Sequence, residues 1–232
     1  MSIFPFFKKQ PSAPEPSPIH GFLFGDVPVL EWPRPESASR NVRPWLLFAT
    51  AQEAYQRGES AAAVTALREV LATPDLESRQ YLQAWHFLRA LGVVPAADEG
   101  KRVLGVVLEV AMHGGLDVVA AYADNSARYI NYSGKVIVWE AGTDLPGGFI
   151  QALLTAAQPV AAAIGPWLEA RRQPPSAGDV RINLLTASGL HFGEGSFDVL
   201  FQDPMGGPVL AAGQALMQAL MELPEHAAPT IA

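Results

Sequence analysis

Val103-Leu-Gly-Val-Val-Leu-Glu-Val110 and Asp117-Val-Val-Ala-Ala-Tyr122, separated by His113-Gly114-Gly115, are the stretch that decides the fold. Both runs are short, rich in β-branched residues and bounded by turn formers, the pattern of two strands joined as a hairpin. Asp124-Asn125-Ser126 makes a second turn into Arg128-Tyr-Ile-Asn-Tyr132, and Ser133-Gly134-Lys135 turns the chain again into Val136-Ile-Val-Trp139. Strands that follow one another through such short connections pair antiparallel.

Toward the C-terminus, Pro146-Gly147-Gly148 opens a long alanine-rich helix, kinked or broken at Pro159 and expected to run to about Arg172, before Pro174-Pro175. Val180-Arg-Ile-Asn-Leu-Leu-Thr186 and Phe197-Asp-Val-Leu-Phe201 read as two further strands, turned through 189–195, and a last helix covers about 208–223. Toward the N-terminus, Leu46, Ala49, Ala54 and Tyr55 precede Gly58, and Ala62, Val64, Leu67, Val70 and Leu71 precede Pro74, which is a helical hairpin with its punctuation in place. Asp75 or Ser78 opens a third helix bearing Leu82, Trp85, Leu88 and Leu91, closed by Gly92 and Pro95.

Residues 1–44 are interrupted by prolines from Pro5 to Pro44 and form an extended arm; residues 224–232 are a short tail. Phe4, Phe6, Phe7, Phe22, Phe24 and Trp32 make the arm too apolar for a solvated leader, so part of it is expected to lie across the body or a partner. The expectation is an α+β protein: a helical segment over 45–95, then an α+β domain over 101–223. Its antiparallel sheet follows the order α-β-β-β(-β)-α-β-β-α.

Two stretches read alike, Met112-His113-Gly-Gly115-Leu-Asp117-Val-Val119 and Leu190-His191-Phe-Gly193-Glu-Gly195-Ser-Phe-Asp198-Val-Leu200. Each leads to a paired-glycine helix start, Gly147-Gly148 in one case and Gly206-Gly207 in the other. A duplicated β-β-α unit explains both pairs; so does the ordinary demand of turns for glycine and aspartate.

The 232 residues are 49% hydrophobic and only 17% charged, with a net charge of -7 and a pI near 5.2. The acidity and the lack of any basic cluster argue against nucleic acid as a partner. The absence of cysteine removes disulfides, thiolate metal sites and cysteine nucleophiles. With no secretory leader in view, a cytoplasmic location is expected. No charge lies between Asp144 and Glu169, but Gln151, Gln158, Pro159 and Gly165-Pro166 interrupt the run, which favours a buried or partner-facing helix over a membrane span. Peripheral membrane contact through Phe4, Phe6, Phe7, Lys8 and Lys9 has only a short anchor behind it.

Chemistry-bearing residues are few. His113, Asp117, His191 and Glu194 combine imidazole and carboxylate near the two hairpins, the stock of metal sites and of acid-base catalysis, yet their spacing matches no metal signature. Water-exposed turn residues are the competing reading. The glycine-proline helix starts lack the lysine and serine or threonine of a P-loop, and Ser133, Ser188 and Ser196 sit in no nucleophile elbow, so no cofactor is expected. Tyr122, Tyr129, Tyr132 and Trp139, on consecutive strands, are candidates for a partner-facing surface or for cross-strand packing. The last helix, from Val209 to Met221, carries no charge and must be buried in the fold or paired with another chain.

Ala54-Tyr55, Gly58, Ala63, Leu67 and Val70 before Pro74 resemble one and a half tetratricopeptide repeats, here read as an ordinary three-helix unit. The element order from about residue 75, with the acidity, is similar to that of the type III secretion chaperones, which implies dimerisation and binding of extended partner segments. The function expected is therefore a non-catalytic protein-binding module of the adaptor, chaperone or immunity kind, acting on another protein or a second copy of itself. The alternative is a small-molecule or metal-binding enzyme or sensor with its site at the His113 and His191 hairpins.

Overall fold

In a computed structural model, residues 18–32, 42–140 and 146–223 are described. The expectations for Phe4, Phe6, Phe7, Lys8, Lys9 and the 224–232 tail lie outside them. The two apolar runs become β1 (Val103–Met112) and β2 (Gly115–Tyr122), a hairpin with Met112 opposite Gly115. β3 (Ala127–Ile130) and β4 (Val136–Trp139) continue the meander, while β5 (Asp179–Thr186) pairs with the other side of β1 and β6 (Gly189–Ser196) with β5. The sheet order is β4-β3-β2-β1-β5-β6, antiparallel at every pairing, so the α+β class and the expected element order stand.

β1 is apolar at nearly every position rather than at alternate ones because both its faces are covered. Against the first face, Val106 and Leu108 meet Ile150, Leu153 and Ala157 of α5 (Gly147–Ala163) and Val209, Leu216 and Leu220 of α7 (Gly206–Met221). Against the second, Val107, Val118, Ala120 and Tyr122 meet Leu82 of α3 (Ser78–Ala90) and Leu23 and Phe24 of the arm. A 3-10 turn over Pro18–Leu23 opens this strap, and the Tyr122 hydroxyl donates to Leu23 O at 2.7 Å. Further along the strap, Trp32 sets its ring edge-on to Trp45 and Phe48 at 4.8 and 4.5 Å.

The three-helix unit is α1 (Trp45–Gln56), α2 (Ser60–Leu71) and α3, packed round Phe48, Leu67, Val70 and Leu88. A Glu77–Gln80 capping box starts α3, and Ser78 N–H donates to Asp124 Oδ2 at 2.7 Å while Asp124 N–H donates to Ser78 Oγ at 3.0 Å. That reciprocal pair ties the helical unit to the β2–β3 turn. A short α4 (Ala97–Lys101) leads into β1.

Three local expectations fail for identifiable reasons. The segment expected to turn, 189–195, is β6 itself; the turn is tighter, at Ala187-Ser188, and Gly189 leaves it at a φ of +130° that side chains rarely adopt. The expected strand Phe197-Asp-Val-Leu-Phe201 is α6 (Phe197–Gln202), because a short apolar run has no period of its own, while Ser196 at the N-cap position and Asp198 in the first turn are helix-start residues. Likewise α5 passes through Pro159 but ends at Ala163, where Ile164 turns extended ahead of Gly165-Pro166. The loop beyond it rounds the outer edge of β6, where Trp167 N–H donates to Leu190 O at 2.6 Å, and crosses the second face.

α7 lies so close to the sheet that a Cβ at Gly213 would overlap Leu108 Cδ1 inside the first core. We therefore expect Gly213→Val to destabilise the fold by about 2–3 kcal/mol through overpacking, read as a lowered urea midpoint. A midpoint within error of the parent would show that Leu108 yields freely and that the contact is not tight.

Candidate functional site

His113 lies exposed at the β1–β2 turn. His191 stands at the level of Val106, through Leu184, so the two histidines are separated by about 20 Å along the strands at roughly 3.4 Å per residue. They occupy opposite ends of the sheet and build no common site. His191 is buried, with Nδ1 3.1 Å from Ile164 O and Nε2 3.3 and 3.2 Å from the hydroxyls of Thr186 and Ser188. Burial and then the charge of Lys101 push its pKa down, which keeps the ring neutral. Lys101 Nζ donates to Ala161 O at 2.9 Å and to Ile164 O at 2.6 Å, so Lys101 and His191 together hold the C-terminal end of α5.

Asp117 accepts from Tyr132 N–H at 2.5 Å and organises the β3–β4 turn. Glu194 accepts from Arg181 Nε at 2.7 Å, with Arg172 Nη1 at 3.6 Å. Among the described residues, no three of histidine, aspartate or glutamate are grouped so as to hold a metal ion. Of the four aromatics, Tyr122, Tyr129 and Trp139 are buried, and Tyr122 and Tyr129 belong to different faces of the sheet. Only Tyr132, 52% exposed, is available to a partner.

What the fold does assemble is a buried polar cluster on the second face. Glu109 of β1 and Arg181 of β5 are register partners, 1% and 2% exposed, with Arg181 Nη1 3.5 Å from Glu109 Oε2. Asn183 Nδ2 donates to Glu109 Oε2 at 2.7 Å, and His20 Nε2 of the strap lies 2.8 Å from Glu109 Oε1. Arg181 also donates to the carbonyls of Arg172 and Gln173 at 3.3 and 2.6 Å. Burial alone would push the Glu109 carboxyl up, but the hydrogen bonds from His20 and Asn183 and the charge of Arg181 outweigh it and hold the pKa below the ordinary value. The signal for this cluster was a single charge inside each of two apolar runs, Glu109 and Arg181.

The first face is its opposite in character. Neither α5 nor α7 contains a charged residue, and their outward positions are Phe149, Gln151, Ala152 and Thr155 on one helix and Ala211, Gln214, Gln218 and Met221 on the other. α7 touches both α5 and α6. α6 buries none of its residues and exposes Phe197, Val199 and Phe201, the two rings stacked at 5.5 Å, with Met205 beside them. No helix among the described residues is long and apolar enough to cross a membrane. No protein-family model, curated protein or solved structure matches the chain.

A group whose pKa is lowered on folding stabilises the native state above its ordinary value, here 4.5, and that contribution is lost as the pH falls below it. Glu109→Gln should therefore cost about 3 kcal/mol at pH 7, where Arg181 loses one of its two counter-ions, and much less at pH 3. Urea unfolding at the two pH values checks this, and an equal cost at both would contradict the charge-based account.

Proposed function

We propose that the protein is a non-catalytic protein-binding module that docks another folded chain on the outer surface of α5, α6 and α7. The observation that carries the reading is the absence of charge over both long helices of this layer, in an acidic protein, next to the exposed apolar side chains of α6. Protein interfaces are distinguished by depletion of charge at their core and by aromatic and methionine side chains there; Phe149, Phe197, Phe201, Met205 and Met221 supply both kinds. An isolated surface helix ordinarily turns charges to water, and these do not. The second face is unsuited to such a role, because the strap and the three-helix unit already cover it.

The two hairpins β1–β2 and β5–β6 have antiparallel inner strands and each leads to a helix of this same layer, α5 after the inserted β3 and β4 and α7 after α6, an order compatible with a duplicated β-β-α unit. On that reading the docking layer is the helical half of both copies, with α6 an addition to the second. The partner is another protein or a second copy of the chain, and light scattering of the purified protein separates the two.

Val199→Glu and Phe201→Glu place charge on the exposed surface of α6 without touching the core of the first face. Partner recovery from cells of the source organism should fall about tenfold or more with either variant, while Val94→Glu, at a still more exposed site between α3 and α4, leaves it unchanged. Undiminished recovery by both α6 variants would remove this face from consideration, and a concentration-dependent dimer lost in the same variants would identify the occupant as a second copy.

A further inference from the structure

A cleft of about 760 Å³ opens on the other side of the molecule, where strap residues 24–28, the end of α3, the loop at 167–171 and the β5–β6 turn meet. Its size falls in the range of small-molecule sites. Phe24, Leu82, Trp167 and Leu190 give it an apolar lining, and Arg89 and Arg171 bring two guanidinium groups into the same space.

Two guanidinium groups and two carboxylates, Asp26 and Glu169, line this cleft, but Arg171 with Asp26 is the one ion pair these four form. Arg171 Nε lies 3.3 Å from Asp26 Oδ2, and its guanidinium carbon sits 3.8 Å from the Phe24 ring centroid, but its Nη1 is buried without a hydrogen-bond partner. Arg89 donates from Nη1 to Ala187 O at 2.6 Å; no carboxylate among the described residues lies within ion-pair distance of it, and its other N–H groups have no partner there. Burial lowers Arg89 to about 10, the Asp26 charge opposing, so the side chain remains a cation at neutral pH. His86, on the same wall, is pushed down by burial and then by Arg89, and is neutral. A half-buried guanidinium without a counter-ion is unfavourable unless an anion completes it.

We propose that this cleft binds a small organic anion, a carboxylate carried on an apolar body, with Arg89 pairing the carboxylate and Trp167, Leu82 and Leu190 receiving the apolar part. The planar fork of an arginine suits a carboxylate through two parallel hydrogen bonds. Asp26, already engaged by Arg171, and Glu169 on the same lining disfavour a second negative charge on the ligand and so select a monoanion. Thr186 and Ser188, on the wall of the cleft, bond to each other at 2.9 Å and both lie against His191 Nε2.

Isothermal titration of the full chain with 3-phenylpropionate, indole-3-acetate and decanoate, against the uncharged 3-phenylpropionamide, tests the assignment. Saturable binding of at least one carboxylate and none of the amide is expected, with amide shifts of Ser188, Gly189 and Gly25 in the NMR spectrum. Arg89→Gln should weaken it about 10–100-fold, as the loss of a charge-assisted pair does. Because Arg89 also supports Ala187, Ala90→Trp provides a second variant that fills the cleft from an exposed position and keeps both arginines; it should abolish binding in a folded protein. Absence of binding for all three carboxylates, equal binding of the amide, or unaltered affinity in Ala90→Trp would overturn the proposal.

Discussion

Two opposite charges, Glu109 and Arg181, face each other on the inner strands of the sheet with almost no access to water. Burying such a pair is unfavourable unless every remaining donor and acceptor is met, and each partner that meets them comes from a different part of the chain. His20 arrives from the strap, the carbonyls of Arg172 and Gln173 from the loop after α5, and Glu194 from β6. The pair thus specifies which segments must close over the second face, something that the non-directional apolar contacts of Leu23 and Phe24 do not do alone. Asn183 Oδ1, buried and without a partner, is the one unmet acceptor of the cluster.

Once the second face is closed in this way, the division of the molecule follows. The first face is built from α5 and α7, helices with no charge to hold solvent at their outer surface, and the connection between β6 and α7 is itself an exposed apolar helix. The cleft with Arg89 lies among the elements that cover the second face. The proposed docking surface and the proposed ligand site, on opposite sides of one sheet, share β5, whose alternate residues Ile182 and Leu184 face the first core while Leu185 faces the second. Contiguous packing of this kind is a physical route by which occupation of one side could bias the other.

The fold class was legible because β1, β2, β3 and β4 are separated by turns whose chemistry is local: His113-Gly114, Asp124-Asn125 and Ser133-Gly134 all fall where the sequence places them. The second hairpin was misplaced because its turn, Ala187-Ser188, carries no strong turn residue ahead of Gly189, whereas the glycines at 193 and 195 lie inside a strand. Phe197–Gln202 had a strand's composition and a helix's first turn, and a five-residue apolar run contains too little periodicity to choose between them. Pairings between distant segments were not legible at all: nothing near His20 names Glu109, and nothing near Arg89 names the β5–β6 turn, since both depend on how far strand register carries the chain. The aromatic residues show the same limit, for Tyr122, Tyr129 and Tyr132 look alike in sequence and differ only in which side of the sheet, or of its rim, the register assigns to them.

The central claim is that the α5–α6–α7 layer is where this protein meets its partner. Site-specific photo-crosslinking in the source organism reads that directly, with a benzophenone side chain at Val199, 67% exposed on α6, and a control at Val94, 84% exposed at the far end of the helical unit. A discrete adduct from position 199 and none from 94 is the result the account predicts; adducts from 94 alone, or none from 199 while the protein is folded and abundant, would contradict it.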